Sequence, residues 1–269
     1  MDENQKVSVI MGLYNCAATL PDAIDSVLNQ TYEDWELIMC DDCSTDDTYE
    51  VAKRYQEQYP QKIILLKNEK NSKLAFSLNH CLQHATGLYV ARMDADDQNM
   101  PERFEKQVQF LREHPEFDLV STGIKLFDGK EFYGERKARK VIPQKEDLVS
   151  GPCFSHATIM TYKRVYDALD GYYVSKRTER GQDYDLWFRF FHKGFKGYNL
   201  QECLYIGREG REFYKRKKYK YRIHSFQTMR KGFKLVHMDK KYYIYLLKPL
   251  AAGLIPSSVM RKLKDKRYN

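Results

Sequence analysis

Three polar clusters in this chain follow short apolar runs. Gly12-Leu13-Tyr14-Asn15 comes after Val7 to Met11, Asp41-Asp42 after Trp35 to Cys40, and Asp94-Ala95-Asp96-Asp97 after Leu88 to Met93. Carboxylates brought to one edge repel each other unless a cation or a hydrogen-bond donor lies between them. A divalent metal with a bound phosphate compound is the natural filler, since Mg²⁺ and Mn²⁺ take carboxylate and phosphate oxygens. A solvated acidic loop is the plainer reading of any one Asp pair. Other patterns are weaker. Cys40-Asp41-Asp42-Cys43 is a C-x-x-C, but carboxylates between the thiols disfavour the thiolate that redox work needs. His80 and His84 are spaced i,i+4 without the Glu of H-E-x-x-H. Neither G-x-G-x-x-G after the first apolar run nor G-x-x-x-x-G-K-[ST] occurs, which argues against a nicotinamide Rossmann site and a P-loop.

Those clusters need elements to position them. Val7 to Met11, Trp35 to Cys40, Ile63 to Leu66, Leu88 to Met93 and Leu119 to Leu126 read as buried strands. Helices are expected between them. One opens at Thr19-Leu20-Pro21-Asp22, with Thr19 as cap and Pro21 early in the helix; another runs from Thr48 to Tyr59. A third runs from Leu74 to Ala85 and is closed by Gly87, and a fourth from Pro101 to His114. This alternation predicts a doubly wound, mostly parallel α/β sheet of Rossmann-like form, with ligands at the strand carboxyl ends. Residues 128–150 show no period and read as a surface connection. Pro152 to Thr161 reads as a strand and Asp183 to Lys193 as a helix.

Composition narrows the class. The 269 residues are 42% hydrophobic and 30% charged, which suits a folded core. Six cysteines are too few for a disulfide-built scaffold, and the polar start gives no sign of a signal peptide, so a reducing cytosol is expected. The net charge of +8 hides an asymmetry: residues 207–269 carry +15 and residues 1–206 carry −7. Lys215-Arg216-Lys217-Lys218-Tyr219-Lys220 is densely basic, and Tyr242 to Pro256 is largely apolar but too short to span a bilayer. Such a segment suits an anionic membrane surface. Packing on the body is the alternative. Nucleic acid is not expected, because the acidic edge would repel its phosphates.

Taken in order, Val7 to Asn15, Asp41-Asp42-Cys43-Ser44-Thr45-Asp46, Ala91-Arg92-Met93-Asp94-Ala95-Asp96-Asp97 and Gln182-Asp183-Tyr184-Asp185-Leu186-Trp187 resemble family 2 glycosyltransferases of the GT-A fold. The resemblance covers about residues 5–205 and is closest to bacterial enzymes of capsule, O-antigen and similar polysaccharides. It implies a glycosyltransferase domain over 1–206, with a nucleotide-sugar half to about 126 and an acceptor half over 127–206. A basic, partly helical membrane-associating extension would follow over 207–269, placing the protein at the inner face of the cell membrane. It implies that Gly12, Tyr14, Asn15, Asp41, Asp42, Lys73, Arg92, Asp94, Ala95 and Arg222 surround a UDP-sugar. It implies that Asp94, Asp96 and His224 hold Mn²⁺ or Mg²⁺. Asp183 is then the base that deprotonates a glycan or lipid-linked glycan hydroxyl in an inverting transfer, with His156, Gln182 and Trp187 on the acceptor side. Two departures stand out: Gln182 replaces the family's usual Glu, and Ser72-Lys73 replaces a common glycine. Read without the resemblance, Asp183 is equally a helix cap. Its place at a helix start, and the loss of charge at Gln182, predict a low pKa. A metal-dependent nucleotidyl- or phosphoryltransferase and a non-catalytic adaptor remain the competing classes.

Overall fold

The computed structural model describes residues 5–209 and 219–254. Four parallel strands form its centre: β1 (Val7–Leu13), β2 (Trp35–Asp41), β3 (Ile63–Lys67) and β4 (Tyr89–Arg92). The strand order β3-β2-β1-β4 continues through β8 (Met160–Tyr162), β6 (Leu119–Phe127), β9 (Gly197–Arg208) and β5 (Gln98–Asn99), while β7 (Phe132–Arg136) pairs with β6. The result is a mixed, mostly parallel sheet in which β8, β5 and β7 run antiparallel to their neighbours.

Side chains along β1 alternate between two cores, as the two-residue period of a strand requires. Val7, Val9 and Met11 meet α1 (Leu20–Leu28), α2 (Thr48–Gln58) and α4 (Arg103–Glu113). Ile10 faces the other way, into a cluster with α3 (Leu74–His84), α5 (Lys163–Ala168), α6 (Gln182–His192) and α7 (Tyr219–Leu235). Helices on both faces explain why the central strands are apolar throughout.

Several local expectations change. Thr19 precedes α1 but caps nothing; its hydroxyl donates to the carbonyls of Cys16 and Ala95 and so ties the helix start to the Asp94–Asp97 turn. Gly87 does not close α3, whose last flanking residue is Ala85. Gly87 is required because a Cβ there would lie 2.4 Å from the Lys6 carbonyl oxygen. Residues 128–150 are not a plain connection: they contain β7 and a 3-10 turn over Lys145–Ser150. The strand expected over Pro152 to Thr161 shrinks to β8, preceded by a 3-10 turn at His156–Thr158. The long β9 has no alternating pattern to announce it, and it carries the sheet past Gly207 to Arg208.

The described part of the basic extension lies against the body. Gly232 of α7 presses on the Phe188 ring of α6 so closely that a Cβ would sit 2.2 Å from it. Phe233 is fully buried beside Phe188 and Tyr243. A 3-10 turn (Lys240–Leu247) and α8 (Lys248–Leu254) follow. No helix among the described residues is long and apolar enough to cross a membrane. The run Lys215 to Lys218 and residues 255–269 lie outside the described residues.

Candidate active site

The ends of β1 and β2 are laced together by short polar side chains. Asn15, at φ 50°, accepts from the Thr45 amide at 2.8 Å and donates its own amide to the Ser44 hydroxyl at 3.1 Å. The Cys16 amide donates to the Thr48 hydroxyl at 2.8 Å. Asp42 is buried and accepts from the Ser72 amide at 2.7 Å, the Lys73 amide at 2.8 Å and the Asn68 side chain at 2.9 Å, so it fixes the loop before α3. Lys73 itself sits at φ 74°, a left-handed conformation rare for a side-chain-bearing residue, and its ammonium donates to Asn71 at 2.6 Å. Asp41 is fully buried. One carboxylate oxygen accepts from the Ser44 amide at 3.2 Å, and the other has no hydrogen-bond partner within the protein. A buried, half-satisfied carboxylate costs stability unless a ligand completes it. Tyr14 is exposed on the same rim. Gly12 is a packing residue: a Cβ there would lie 2.8 Å from the Leu74 side chain.

The end of β4 concentrates charge. Carboxylate oxygens of Asp94, Asp96 and Asp97 lie within 4.8 Å of one another. Arg92, 3% exposed, grips Asp94 with both terminal nitrogens, one at 2.8 Å, and leaves its Nε without a partner. Burial alone would push the Arg92 guanidinium down, but the Asp94 carboxylate more than offsets it. Asp97 is pushed up to about 8, first by burial and then by Asp94 and Asp96. Burial and Asp94 raise Asp96 as well. The acids thus repel more than Arg92 neutralises, and a divalent cation fits that imbalance. Ala95 contributes its carbonyl, which accepts from Thr19.

Beneath this turn lies a buried frame that the residue types alone do not announce. Arg103 of α4 is fully buried, and burial pushes it down to about 10. It donates to Gln107 at 2.9 Å, to Asn99, and to the carbonyls of Arg92 and Ile159 at 3.0 and 3.2 Å. Its guanidinium stacks over Tyr205, whose hydroxyl accepts the Asp94 amide at 3.0 Å. The Arg208 amide donates to Asp97 at 2.7 Å.

Asp183 occupies the first turn of α6. It is not the helix cap, a place taken by Gly181. Burial raises its pKa, against the opposing pull of the Tyr184 amide and of Arg92. The low pKa expected from the helix dipole is therefore overturned, because desolvation outweighs it. Arg92 grips Asp94 directly, and its charge also lowers the pKa of Asp183, so one buried cation influences both the acidic turn and the base candidate. Nearby Asp185 is a structural anchor, paired with Arg177 at 2.7 Å and Arg189 at 2.9 Å.

The remaining candidates separate. Trp187 is fully buried, edge-on to Phe154 and Phe190, so it supports the core and cannot touch an acceptor. His156 bonds the Tyr172 hydroxyl at 2.8 Å, and burial, aided by Arg92, pushes its pKa well down, leaving a neutral imidazole. The Gln182 carbonyl accepts the Gly181 amide at 3.2 Å. Arg222 and His224 lie on α7. The Nδ1 of His224 is buried without a hydrogen-bond partner, and His224 does not belong to the Asp94, Asp96 and Asp97 group, the one set of side chains among the described residues placed to hold a metal. Cys40 and Cys43 are free thiols.

The sequence profile of glycosyl transferase family 2 matches residues 8–169. A protein of Bacillus subtilis (strain 168) named a glycosyltransferase, EpsE, is 45% identical over 269 residues, covering 99% of this chain and 96% of that one. The Escherichia coli protein named UDP-Glc:alpha-D-GlcNAc-diphosphoundecaprenol beta-1,3-glucosyltransferase WfaP is 28% identical over 195 residues, 72% of this chain and 73% of its own. Among solved structures, residues 1–349 of Staphylococcus aureus TarS in complex with UDP-GlcNAc superpose with a TM-score of 0.70 at 18% identity, covering 93% of this chain and 71% of that one. That likeness is one of fold, and it is the GT-A fold.

Proposed function

The chain belongs to glycosyl transferase family 2, and on that premise we propose that it transfers a sugar from a UDP-sugar to a hydroxyl of a lipid-linked glycan in bacterial polysaccharide synthesis, with inversion at the anomeric carbon. The observation that carries the reading is the convergence of the Asp94, Asp96 and Asp97 carboxylates beside a buried Arg92 that also acts on Asp183. Membership in the family sets aside the phosphoryltransferase and adaptor classes.

In this reading Asp41, with its unpartnered oxygen, and the Asn15 and Lys73 loops receive the nucleoside. Asp94, Asp96 and Asp97 would hold Mn²⁺ or Mg²⁺, which when bound offsets charge on the diphosphate. Asp183 accepts the proton of the acceptor hydroxyl as that oxygen bonds to the anomeric carbon. The bond from that carbon to the UDP oxygen breaks at the same time, and UDP leaves with the electron pair. A carboxylate whose pKa is raised by burial is a stronger base nearer working pH than a solvated one. Arg92 holds Asp94 in place and favours the ionised base. The complexes and names of the relatives support the donor and acceptor classes: UDP-GlcNAc is bound in TarS, and a diphosphoundecaprenol-linked sugar is named for WfaP.

Residues 207–269 would keep the enzyme at the cytoplasmic face of the membrane. Exposed Ile244 and Leu247 beside Lys240, Lys241 and Lys248 support that role. The decisive experiment is a screen of UDP-sugars for hydrolysis or transfer with Mn²⁺ and with EDTA. Release of UDP that depends on the metal is expected. No release from any UDP-sugar refutes the donor assignment.

A further inference from the structure

The sheet does not stop at the acidic turn. The β6–β7 hairpin runs past it on the same edge, and three residues there stand in register across neighbouring strands: Arg208 of β9 opposite Phe127 of β6, and Phe127 opposite Phe132 of β7. Residues paired across strands project to the same face. The Arg208 guanidinium lies 5.6 Å from the Phe127 ring centre, and the Phe127 and Phe132 rings are 5.2 Å apart. The row starts at the site itself, because the Arg208 amide holds Asp97 at 2.7 Å while its guanidinium pairs with Asp22 at 2.9 Å. It ends at the surface: Phe132 is 58% exposed, a large apolar ring left open among the described residues. The Nε of Arg208 is buried and has no partner within the protein.

We infer that Arg208, Phe127 and Phe132 form a platform for a pyranose ring of the acceptor glycan, one or two sugars away from the reacting hydroxyl. The inference rests on the glycosyltransferase reading above. A pyranose has a C–H face that lies flat on an aromatic ring and a hydroxyl rim that accepts hydrogen bonds, and this row offers both partners in that order. Two strand spacings of about 4.8 Å separate the backbones of Arg208 and Phe132, the reach of a disaccharide.

Saturation-transfer NMR with methyl β-glucoside, methyl β-galactoside and methyl N-acetyl-β-glucosaminide tests this on the full chain and on Phe132→Ala and Phe132→Tyr. Because Phe132 is exposed, both variants should fold. The expected result is transfer to protons of one ring face for at least one glycoside. That signal should weaken about fivefold in Phe132→Ala and persist in Phe132→Tyr. Absence of transfer from all of the glycosides, or equal transfer in Phe132→Ala, overturns the platform. So does a fall in oligomeric state of Phe132→Ala, by analytical ultracentrifugation, without change in transfer, which would assign the ring to a protein interface. A melting shift with UDP and Mn²⁺ is read in the same samples. If that shift fails in the unaltered protein, the donor reading falls; if it holds while glycoside transfer is unaffected by Phe132→Ala, only the platform falls.

Discussion

The ends of β1 and β2 and the end of β4 solve opposite problems. At the ends of β1 and β2, most polar groups are satisfied before any ligand arrives: Asp42 has three donors, and Asn15 is tied to both Ser44 and Thr45. At the end of β4 the acids are crowded instead. Asp97 is pushed up to about 8 because burial and its neighbours make its charge costly. In the proposed reading the first region receives the nucleoside in a preset shape, while the second stores repulsion that a cation would relieve. Geometry is fixed where binding needs shape, and charge is left over where the chemistry needs a field.

The largest effect should come from the base. Asp183→Asn is expected to lower transfer by about 10³-fold while leaving the UDP-induced melting shift intact; turnover near that of the unaltered enzyme would remove Asp183 from the mechanism. In the unaltered enzyme the rate should fall on the acid side at a higher pH than an ordinary aspartate would give, since burial raises this group. Breaking the rigid half is the next test. Asp42→Ala frees the Ser72 and Lys73 amides and should weaken UDP binding about tenfold by calorimetry. An unchanged affinity would mean that the loop before α3 takes no part.

Two smaller effects are read as stability. Gly232→Ala forces a Cβ into the Phe188 ring and should cost about 1–3 kcal/mol, a melting drop of about 5 °C; no change would mean that α7 is not seated as described. The crowded acids should give a slope with pH. Between about pH 4 and about pH 8 the folded protein retains a proton on Asp97 that the unfolded chain has released, so metal-free stability should fall as pH rises through that window. Asp97→Asn should flatten the slope, and a slope of equal size in the variant would place the charge elsewhere.

Much of this contrast is legible in the chain. The strands that carry Asp41, Asp94 and their neighbours are continuous apolar runs, and the helices between them keep a helical stripe, so the strands and crossover helices of the parallel core follow from pattern. The D-A-D-D run marks the place where three carboxylates converge. What escapes is set by long-range contact. β9 is recognisable only once β6 is beside it, and β5 is two residues held by β9. Arg103 reads as a surface helix residue until Asn99, Gln107 and two strand carbonyls converge on it. Trp187 and Asp183 lie one turn apart on α6, yet Trp187 is sealed in the core while the charges of Arg92 and Asp94 reach Asp183. The dipole argument for Asp183 fails for the same reason: burial is a tertiary quantity.

The most direct test of the account is the melting shift produced by UDP with and without Mn²⁺, in the unaltered protein and in Asp96→Ala. The account predicts a clear shift that needs both ligands in the unaltered protein and loses its metal dependence in Asp96→Ala. A UDP shift of the same size in EDTA, or one in Asp96→Ala that still responds to Mn²⁺, would contradict it.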